Sequence, residues 1–170
     1  DDIKDEILAY NYLINQNIKN IGSFIQSDWK LTKEINLLSG ARFDKNSLLE
    51  HIVTSPRLSL LYKLRKKTQF RVSYSTGFRA PQAFDTDLHM AFAGGGISRI
   101  KLADNLKEER SKSLSASINY DQTSENYIYG FTLQGFYTRL NDAFYQDPAG
   151  EDEFGEIFIK RNENGATVQG

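Results

Sequence analysis

Hydrophobic and polar residues alternate along most of the chain with a period of two, the spacing expected of β-strands with one apolar face. The pattern is clearest at 70–78, where Phe70, Val72, Tyr74, Thr76 and Phe78 alternate with Arg71, Ser73, Ser75 and Gly77. Similar alternation runs through 20–31, 35–44, 56–64 and 113–120. Two weaker segments follow at 127–140, where the phase slips near Gly135 and Phe136, and at 156–170. The pattern predicts an all-β chain of about seven strands.

The connections between these predicted strands alternate in length. Short connections lie at 32–34, 65–68 and 121–126, whereas longer ones lie at 45–54, 79–107 and 141–156. This order favours an antiparallel up-and-down meander that forms an arc of a large transmembrane β-barrel, with short periplasmic turns and long extracellular loops. Strands of about ten residues, tilted by roughly 45°, also match the height of a bilayer. We expect residues 1–18 to be a loop.

Alternation alone is also compatible with a soluble β-sandwich, whose polar face would point outward. The alternating loop lengths favour the barrel, because a Greek-key sandwich has no reason to obey them. Aromatic residues near the predicted strand ends fit the lipid–water boundary of a barrel, although aromatics favour strands in any case. These aromatic residues are Tyr62, Tyr74, Phe78, Tyr120, Tyr127 and Tyr129.

Composition narrows the class of protein further. The net charge of −1 and the pI near 6.2 give no indication of nucleic-acid binding. The chain has no cysteine, which excludes disulfides, thiolate nucleophiles and cysteine-based zinc sites. A mean hydropathy of −0.52 argues against a helical membrane protein. It does not argue against a barrel, in which only every second residue meets lipid.

The residues give little support to an enzyme. His51 and His89 are the only histidines, and no nucleophile–base pair stands out, so we expect neither catalysis nor a cofactor. Asp85, Asp87 and His89 would point to one side of an extended segment and could bind a metal ion. A solvated loop is the interpretation we prefer for them. We interpret the acidic stretch at 147–153 in the same way, since it lacks the spacing of an EF-hand calcium site.

Six short motifs resemble, in order, those of TonB-dependent outer-membrane receptors. The most specific is STGFRAP at 75–81, which resembles the tGFRaP signature that precedes a long extracellular loop in that family. The other motifs are GSFIQSDWKL at 22–31, LSGARFD at 38–44, SPRLS at 55–59, NLKEERS at 105–111 and FYT at 136–138. In NLKEERS, Glu108 stands where the family usually has proline. Residues 83–89 further resemble receptors of the Bacteroidetes type.

This resemblance implies a receptor of the bacterial outer membrane that takes up a bulky nutrient, such as an iron–siderophore, haem or cobalamin. It implies a barrel of about 22 strands closed by a plug domain and energised by the TonB complex. We expect residues 1–170 to be part of the barrel domain, without the plug domain or the C-terminal strands. The expected partners are outer-membrane lipid, the plug, the TonB complex and an extracellular metal chelate or other nutrient, with no nucleic acid.

The resemblance also suggests where substrate binds. We expect ligand contacts in the loops at 79–105 and 141–153. The candidate substrate-binding residues are Arg79, Phe84, Asp85, Asp87, His89 and Phe92. Four arginines fall on inward or strand-end positions and would face either an anionic ligand or, preferably, carboxylates of the plug: Arg42, Arg57, Arg71 and Arg79. A porin-like or adhesive barrel without active transport is the alternative function, and the sequence does not identify the substrate.

Overall fold

The computed structural model describes residues 2–7, 12–65, 67–81, 99–152 and 155–170. Its regular elements are β-strands. They are β1 Asp2–Ile7, β2 Tyr12–Asn17, β3 Asn20–Lys30, β4 Ile35–Asn46, β5 Ile52–Leu64, β6 Thr68–Arg79, β7 Arg99–Leu102, β8 Glu109–Thr123, β9 Ile128–Asn141, β10 Ala143–Asp152, β11 Gly155–Glu163 and β12 Thr167–Gln169. In the described part of the chain, no helix is long and apolar enough to cross a membrane.

Seven of these strands form one antiparallel sheet in the order β3-β4-β5-β6-β8-β9-β12. Strands that follow one another along the chain lie side by side, except that β7 is inserted between β6 and β8, and β10 and β11 are inserted between β9 and β12. The predicted all-β meander of about seven strands is confirmed. Two small sheets accompany it: a hairpin of β1 with β2, and the order β10-β11-β7, in which β7 runs parallel to β11.

The structure corrects several predicted boundaries. The connection predicted at 45–54 is only 47–51, because β4 and β5 continue to pair as far as Lys45 and Ile52. Residues 1–18, predicted as a loop, contain the β1–β2 hairpin. The predicted loops at 79–107 and 141–156 contain β7, β10 and the start of β11, which form the small sheet. The predicted strand at 156–170 is divided between β11 and β12.

The phase slip predicted near Gly135 is not a break in the backbone. The β8–β9 ladder runs without a bulge, and Gly135 and Phe136 pair with Ala116 and Ser115. Residues paired directly across antiparallel strands lie on the same face of the sheet. Phe136 therefore lies on the polar face and Gly135 on the apolar face. The alternation of apolar and polar residue types is broken here, whereas the pairing of the strand is regular.

The large sheet has two chemically distinct faces. The apolar face carries large hydrophobic side chains that remain open to the surroundings, including Leu58, Leu114 and Leu133, which are 48%, 50% and 65% exposed. The described residues contain only four buried hydrophobic side chains, at Leu49, Val53, Ala80 and Ile100. A soluble sandwich would bury its apolar face beneath a second sheet. The sandwich interpretation is therefore wrong, and the exposed face suits contact with lipid.

Aromatic side chains gather on the apolar face near the short connections at 31–34, 65–67 and 124–127. The ring of Tyr62 stacks against Phe70 at 6.2 Å, and the ring of Tyr120 lies 5.7 Å from Phe131 and 6.4 Å from Tyr129. Aromatic rings near the ends of the membrane-spanning strands are typical of the aromatic girdle of a barrel. Phe78 differs from this group, because it packs against the small cluster of Leu49, Val53 and Ala80.

We predict that an arginine is tolerated on one face of β9 and not on the other. Leu133 lies near the middle of the apolar face, whereas the adjacent Thr132 lies on the polar face opposite Asn119. Leu133→Arg should lower the free energy of unfolding of the complete protein in lipid bilayers by roughly 2–4 kcal/mol, and Thr132→Arg by much less. Urea titration of both variants measures the difference. An equal or larger loss in Thr132→Arg would contradict the assignment of the faces.

Candidate functional site: the polar face and the rim

A concave hollow of about 690 Å³ lies on the polar face of the sheet. Arginine, glutamine and small hydroxyl side chains dominate its lining. The charged residues are Arg42, Arg57 and Arg71, and the hydroxyl residues include Ser55, Ser73, Ser75, Thr76, Ser115 and Ser117. Alternation places these residues together, because the polar positions of six neighbouring strands share this face. The hollow is hydrated in character and positively charged.

The arginines of the hollow differ in their partners. Arg42 donates from Nε and Nη2 to the two carboxylate oxygens of Asp44 at 2.7 and 2.8 Å. The Asp44 side chain is almost fully buried, and Asn20 donates to it as well, at 3.1 Å. Within the described residues, Arg57 and Arg71 have neither an ion pair nor a side-chain hydrogen bond. Two guanidinium groups therefore remain available to a partner that covers this face.

Serine hydroxyls bond to one another between the arginines. Ser59 and Ser73, which are register partners, lie 2.7 Å apart through their Oγ atoms. Ser113 Oγ and Thr138 Oγ1 make the same kind of contact at 2.7 Å. Such cross-strand pairs stabilise the sheet without filling the space in front of it. The small side chains thus keep the hollow open while satisfying their own polar groups.

The rim of the sheet is its end opposite the short turns, where the connection 47–51 and the long connections meet. Leu49, Val53 and Ala80 form a small buried cluster there, with Leu48 and Phe78 packed against it. Lys45 Nζ donates to the backbone oxygens of Leu49 and Glu50 at 2.9 and 2.6 Å. The connection 47–51 is therefore held against the strand ends by both apolar and polar contacts.

Glu108 joins two parts of the rim that are distant in sequence. Its Oε1 lies 3.0 Å from His51 Nε2 and accepts a hydrogen bond of 2.7 Å from Arg110. Burial acts to raise the pKa of Glu108, but hydrogen bonds from Arg110, its own backbone and His51 outweigh burial and hold the pKa below its ordinary value. The acidic residue that replaces the family's usual proline is thus an anchor of the rim.

A second anchor fixes the small sheet of β7, β10 and β11 to the rim. Arg79 donates to Glu109, its register partner, at 3.3 Å, and its guanidinium carbon lies 4.9 Å from the centre of the Phe144 ring. The fully buried Lys160 places its Nζ 4.9 Å from the same ring. Glu109 also accepts a 3.1 Å hydrogen bond from the Phe144 backbone N–H. Phe144 is therefore held by two cations and one carboxylate.

Asn162 adds a third connection. Its Oδ1 accepts from the Lys107 backbone N–H at 2.7 Å, and its Nδ2 donates to the carbonyl oxygens of Lys107 and Asp142 at 3.1 and 2.7 Å. Asp142 has a φ of 52°, a conformation that a non-glycine residue adopts only at a cost. The asparagine side chain thus ties together the start of β8, the strained end of β9 and the strand β11.

Of the six substrate-binding candidates predicted from sequence, only Arg79 lies in the described part of the chain. Its side chain is 42% exposed and is occupied by Glu109 and Phe144, which gives it a structural part at the rim. Phe84, Asp85, Asp87, His89 and Phe92 lie outside the described residues. In the acidic stretch at 147–153, Asp147 forms an ion pair with Arg161. Among the described residues, no group of three or more acidic or histidine side chains is arranged to hold a metal ion.

Sequence reasoning missed Glu109, Phe144, Lys160 and Asn162. Glu109 and Phe144 lie outside the predicted strands, and Lys160 and Asn162 lie in the weakly patterned segment at 156–170. The contact of Glu109 with Phe144 crosses 35 positions of the chain, and that of Asn162 with Lys107 crosses 55. A one-layered antiparallel sheet with an exposed apolar face, a cationic polar face and a rim of anchored loops defines a transmembrane β-barrel wall. This is the class of protein to which the chain belongs.

Comparison with known families identifies the barrel. The family model described as "TonB dependent receptor-like, beta-barrel" matches residues 2–170. The chain therefore belongs to this family, whose members are transport receptors of the bacterial outer membrane. The resemblance inferred from the six motifs is confirmed. Among curated proteins, no sequence matches this chain.

Solved structures share the fold. The siderophore receptor PirA from Pseudomonas aeruginosa aligns with a TM-score of 0.76 and 16% identity over 96% of this chain and 32% of that chain. The FrpB iron transporter from Neisseria meningitidis aligns with a TM-score of 0.69 and 19% identity over 95% and 24%. A ferric enterobactin receptor of Pseudomonas aeruginosa, PfeA, aligns with a TM-score of 0.64 and 18% identity over 90% and 24%. The chain spans a third or less of the length of these proteins.

We predict that Glu108→Gln destabilises the complete protein in a pH-dependent way. A carboxyl group whose folded pKa is lowered stabilises the fold above its ordinary pKa of 4.5, and this stabilisation is lost as the pH falls through the folded value. Glu108→Gln should cost about 1 kcal/mol at neutral pH, and the difference should shrink between about pH 5 and pH 3. Thermal unfolding in detergent, repeated across this pH range, measures the loss of stability and its dependence on pH.

Glu125→Gln provides the matched control, because Glu125 is an exposed acid in the 124–127 turn at the other end of the sheet. The Glu125→Gln variant should unfold like the unaltered protein at every pH in this range. A Glu108→Gln difference that stays constant down to pH 3 would show that charge at Glu108 is not what anchors the rim.

Proposed function

We propose that the protein containing this chain is a TonB-dependent outer-membrane receptor that imports a bulky nutrient, with a metal chelate as the leading class. Iron–siderophores, haem and cobalamin are the candidates. Support comes from the family to which the chain belongs and from solved neighbours named as siderophore receptors and an iron transporter. The single observation that carries the proposal is the polar face, where Arg57 and Arg71 face a wide hollow and have no partner among the described residues.

We further propose that the hollow is the inner wall of the barrel and that the plug domain covers it. Carboxylates of the plug would pair with Arg57 and Arg71. An arginine in a polar, partly enclosed site favours bidentate bonds to a carboxylate. The serine-rich surroundings offer hydroxyls that can bond to a mobile domain without binding it tightly. The TonB complex would act on this domain to open the path.

The rim would carry the ligand-recognition loops on the outside of the cell. We propose that residues of 79–105 and 141–153 contact the ligand, with Arg79, Phe84, Asp85, Asp87, His89 and Phe92 as candidates. The anchors at Glu109, Phe144 and Asn162 support this role for the second loop, because a fixed hairpin loses less entropy on binding. Arg79 would contribute mainly by holding that hairpin in place.

Uptake by cells tests the proposal and separates it from a porin-like or adhesive barrel. We expect cells that depend on this protein to take up one member of a panel of labelled iron–siderophores, haem and cobalamin. Uptake should stop when the TonB complex is deleted. Uptake that continues without the TonB complex would favour a porin, and no uptake of any member would remove the metal-chelate proposal.

A loop variant tests the candidate residues in the same cells. Replacing Asp85, Asp87 and His89 together by Asn, Asn and Gln should weaken ligand binding about tenfold or more, because polar contacts to a charged ligand are lost. Asp121→Asn with Glu125→Gln is the control and should bind normally, because both residues are exposed at the other end of the sheet. Unchanged binding in the triple variant would exclude these three residues from the site.

A further inference from the structure

The charged residues on the apolar face have a single sign and a single location. The seven strands of the large sheet place four charges on this face, at Lys45, Arg110, Lys112 and Arg139. All four are basic, and all lie at the rim end of their strands. A random surface mixes both signs, so this distribution indicates that the rim end of the apolar face meets negative charge.

Two of the four cations are already engaged within the chain. Lys45 bonds to the backbone oxygens of Leu49 and Glu50, and Arg110 bonds to Glu108. Lys112 and Arg139 are register partners on adjacent strands, and both side chains are exposed. Among the described residues, neither has an ion pair or a side-chain hydrogen bond. Like charges directly opposite each other repel, so an anion that lies between them would stabilise this pair.

The position of the pair defines what kind of anion fits. The next register pair on the same face is Leu114 with Tyr137, at 50% and 47% exposed, and the apolar face continues from there. From Lys112 to Gln122, ten residues at about 3.4 Å each and a tilt of about 40° span roughly 26 Å. This is close to the roughly 25 Å height of the apolar band of a barrel. The pair therefore lies where lipid headgroups meet acyl chains.

We infer that Lys112 and Arg139 form a binding site for the phosphate headgroup of an anionic membrane lipid. The guanidinium of Arg139 suits two phosphate oxygens and the ammonium of Lys112 a third, while Thr167, a register partner of Arg139, supplies a hydroxyl. The acyl chains would lie over Leu114 and the apolar residues beyond it. A free phosphate ion or an acidic peptide would leave that adjoining apolar surface uncovered.

This site rests on the outer-membrane location of the family and not on the identity of the nutrient. It would fix the depth of the barrel in the membrane by holding lipid at the boundary of its apolar band. The uptake experiments and the lipid experiment are independent, because Lys112 and Arg139 face away from the hollow and belong to neither proposed ligand loop. A receptor that imports normally and binds no lipid at this site would contradict only the lipid inference.

The test uses the complete receptor purified in non-ionic detergent, with three probes: dioleoylphosphatidic acid, dioleoylglycerol and inorganic phosphate. Native mass spectrometry counts bound lipid, and thermal unfolding measures stabilisation by each probe. We expect phosphatidic acid to bind the receptor and stabilise it. Dioleoylglycerol and inorganic phosphate should bind at least about tenfold more weakly. Lys112→Gln with Arg139→Gln should reduce phosphatidic acid binding about tenfold or more.

Two further variants keep the test decisive. Lys33→Gln with Lys67→Gln removes the same charge from exposed turns at the other end and should bind phosphatidic acid normally. Lys112→Arg with Arg139→Lys preserves both charges and should also bind it, which shows that loss of charge and not misfolding caused the effect. Equal binding by the Gln double variant and the unaltered receptor would overturn the site. Inorganic phosphate that binds as well as phosphatidic acid would make it an ion site instead of a lipid site.

Discussion

The backbone of a membrane-spanning sheet has to satisfy every hydrogen bond without help from water, and the rest of this structure depends on that constraint. The six strands β3, β4, β5, β6, β8 and β9 meet it by pairing side by side, and each is eleven to fifteen residues long. Once the ladders are fixed, the pleat decides which side chains meet lipid and which meet the lumen. A chain with a mean hydropathy of −0.52 can therefore cross a membrane, because only half of its strand residues need to be apolar.

The rim is held by contacts between individual side chains and not by backbone pairing alone. Beyond the ends of the ladders the chain can no longer rely on strand pairing, and specific side chains hold it instead. Glu108 joins Arg110 to His51, the Phe144 ring lies between Arg79 and Lys160, and Asn162 bonds to three backbone groups. These contacts turn parts of the long connections into a small sheet with a fixed position. A ligand-recognition surface needs such positions on a rigid support.

The sequence predicted the parts of the fold that follow from local periodicity. The strands at 70–78 and 113–120 were predicted because each of their residues obeys the alternation, and both lie within observed strands. The connection at 45–54 was predicted too long, because Lys45 and Thr54 are polar residues that nevertheless belong to the ladder. Phe136 made β9 look irregular, since an aromatic side chain on the polar face cannot be distinguished from a register slip in the sequence alone.

The site was harder to predict because its contacts are not local. Nothing in the neighbourhood of Phe144 indicates that Arg79 and Lys160 will lie beside it, and no spacing rule brings Glu108 to His51. Arg79 was predicted as a ligand contact on the strength of its motif, and the structure gives it two partners within the chain. The alternation did place Arg57 and Arg71 on one face, but only the sheet register brings them into a common hollow.

Electron paramagnetic resonance on β6 tests the central claim most directly, namely that one face of the sheet meets lipid and the other meets the lumen. Single nitroxide labels can be attached through cysteines introduced at each position from 69 to 76 of the complete receptor in liposomes, and this chain contributes no cysteine of its own. The structure predicts high accessibility to oxygen, which concentrates in lipid, at 70, 72 and 74, and low accessibility at 69, 71, 73 and 75. Uniform accessibility along the strand, or the opposite alternation, would contradict the account.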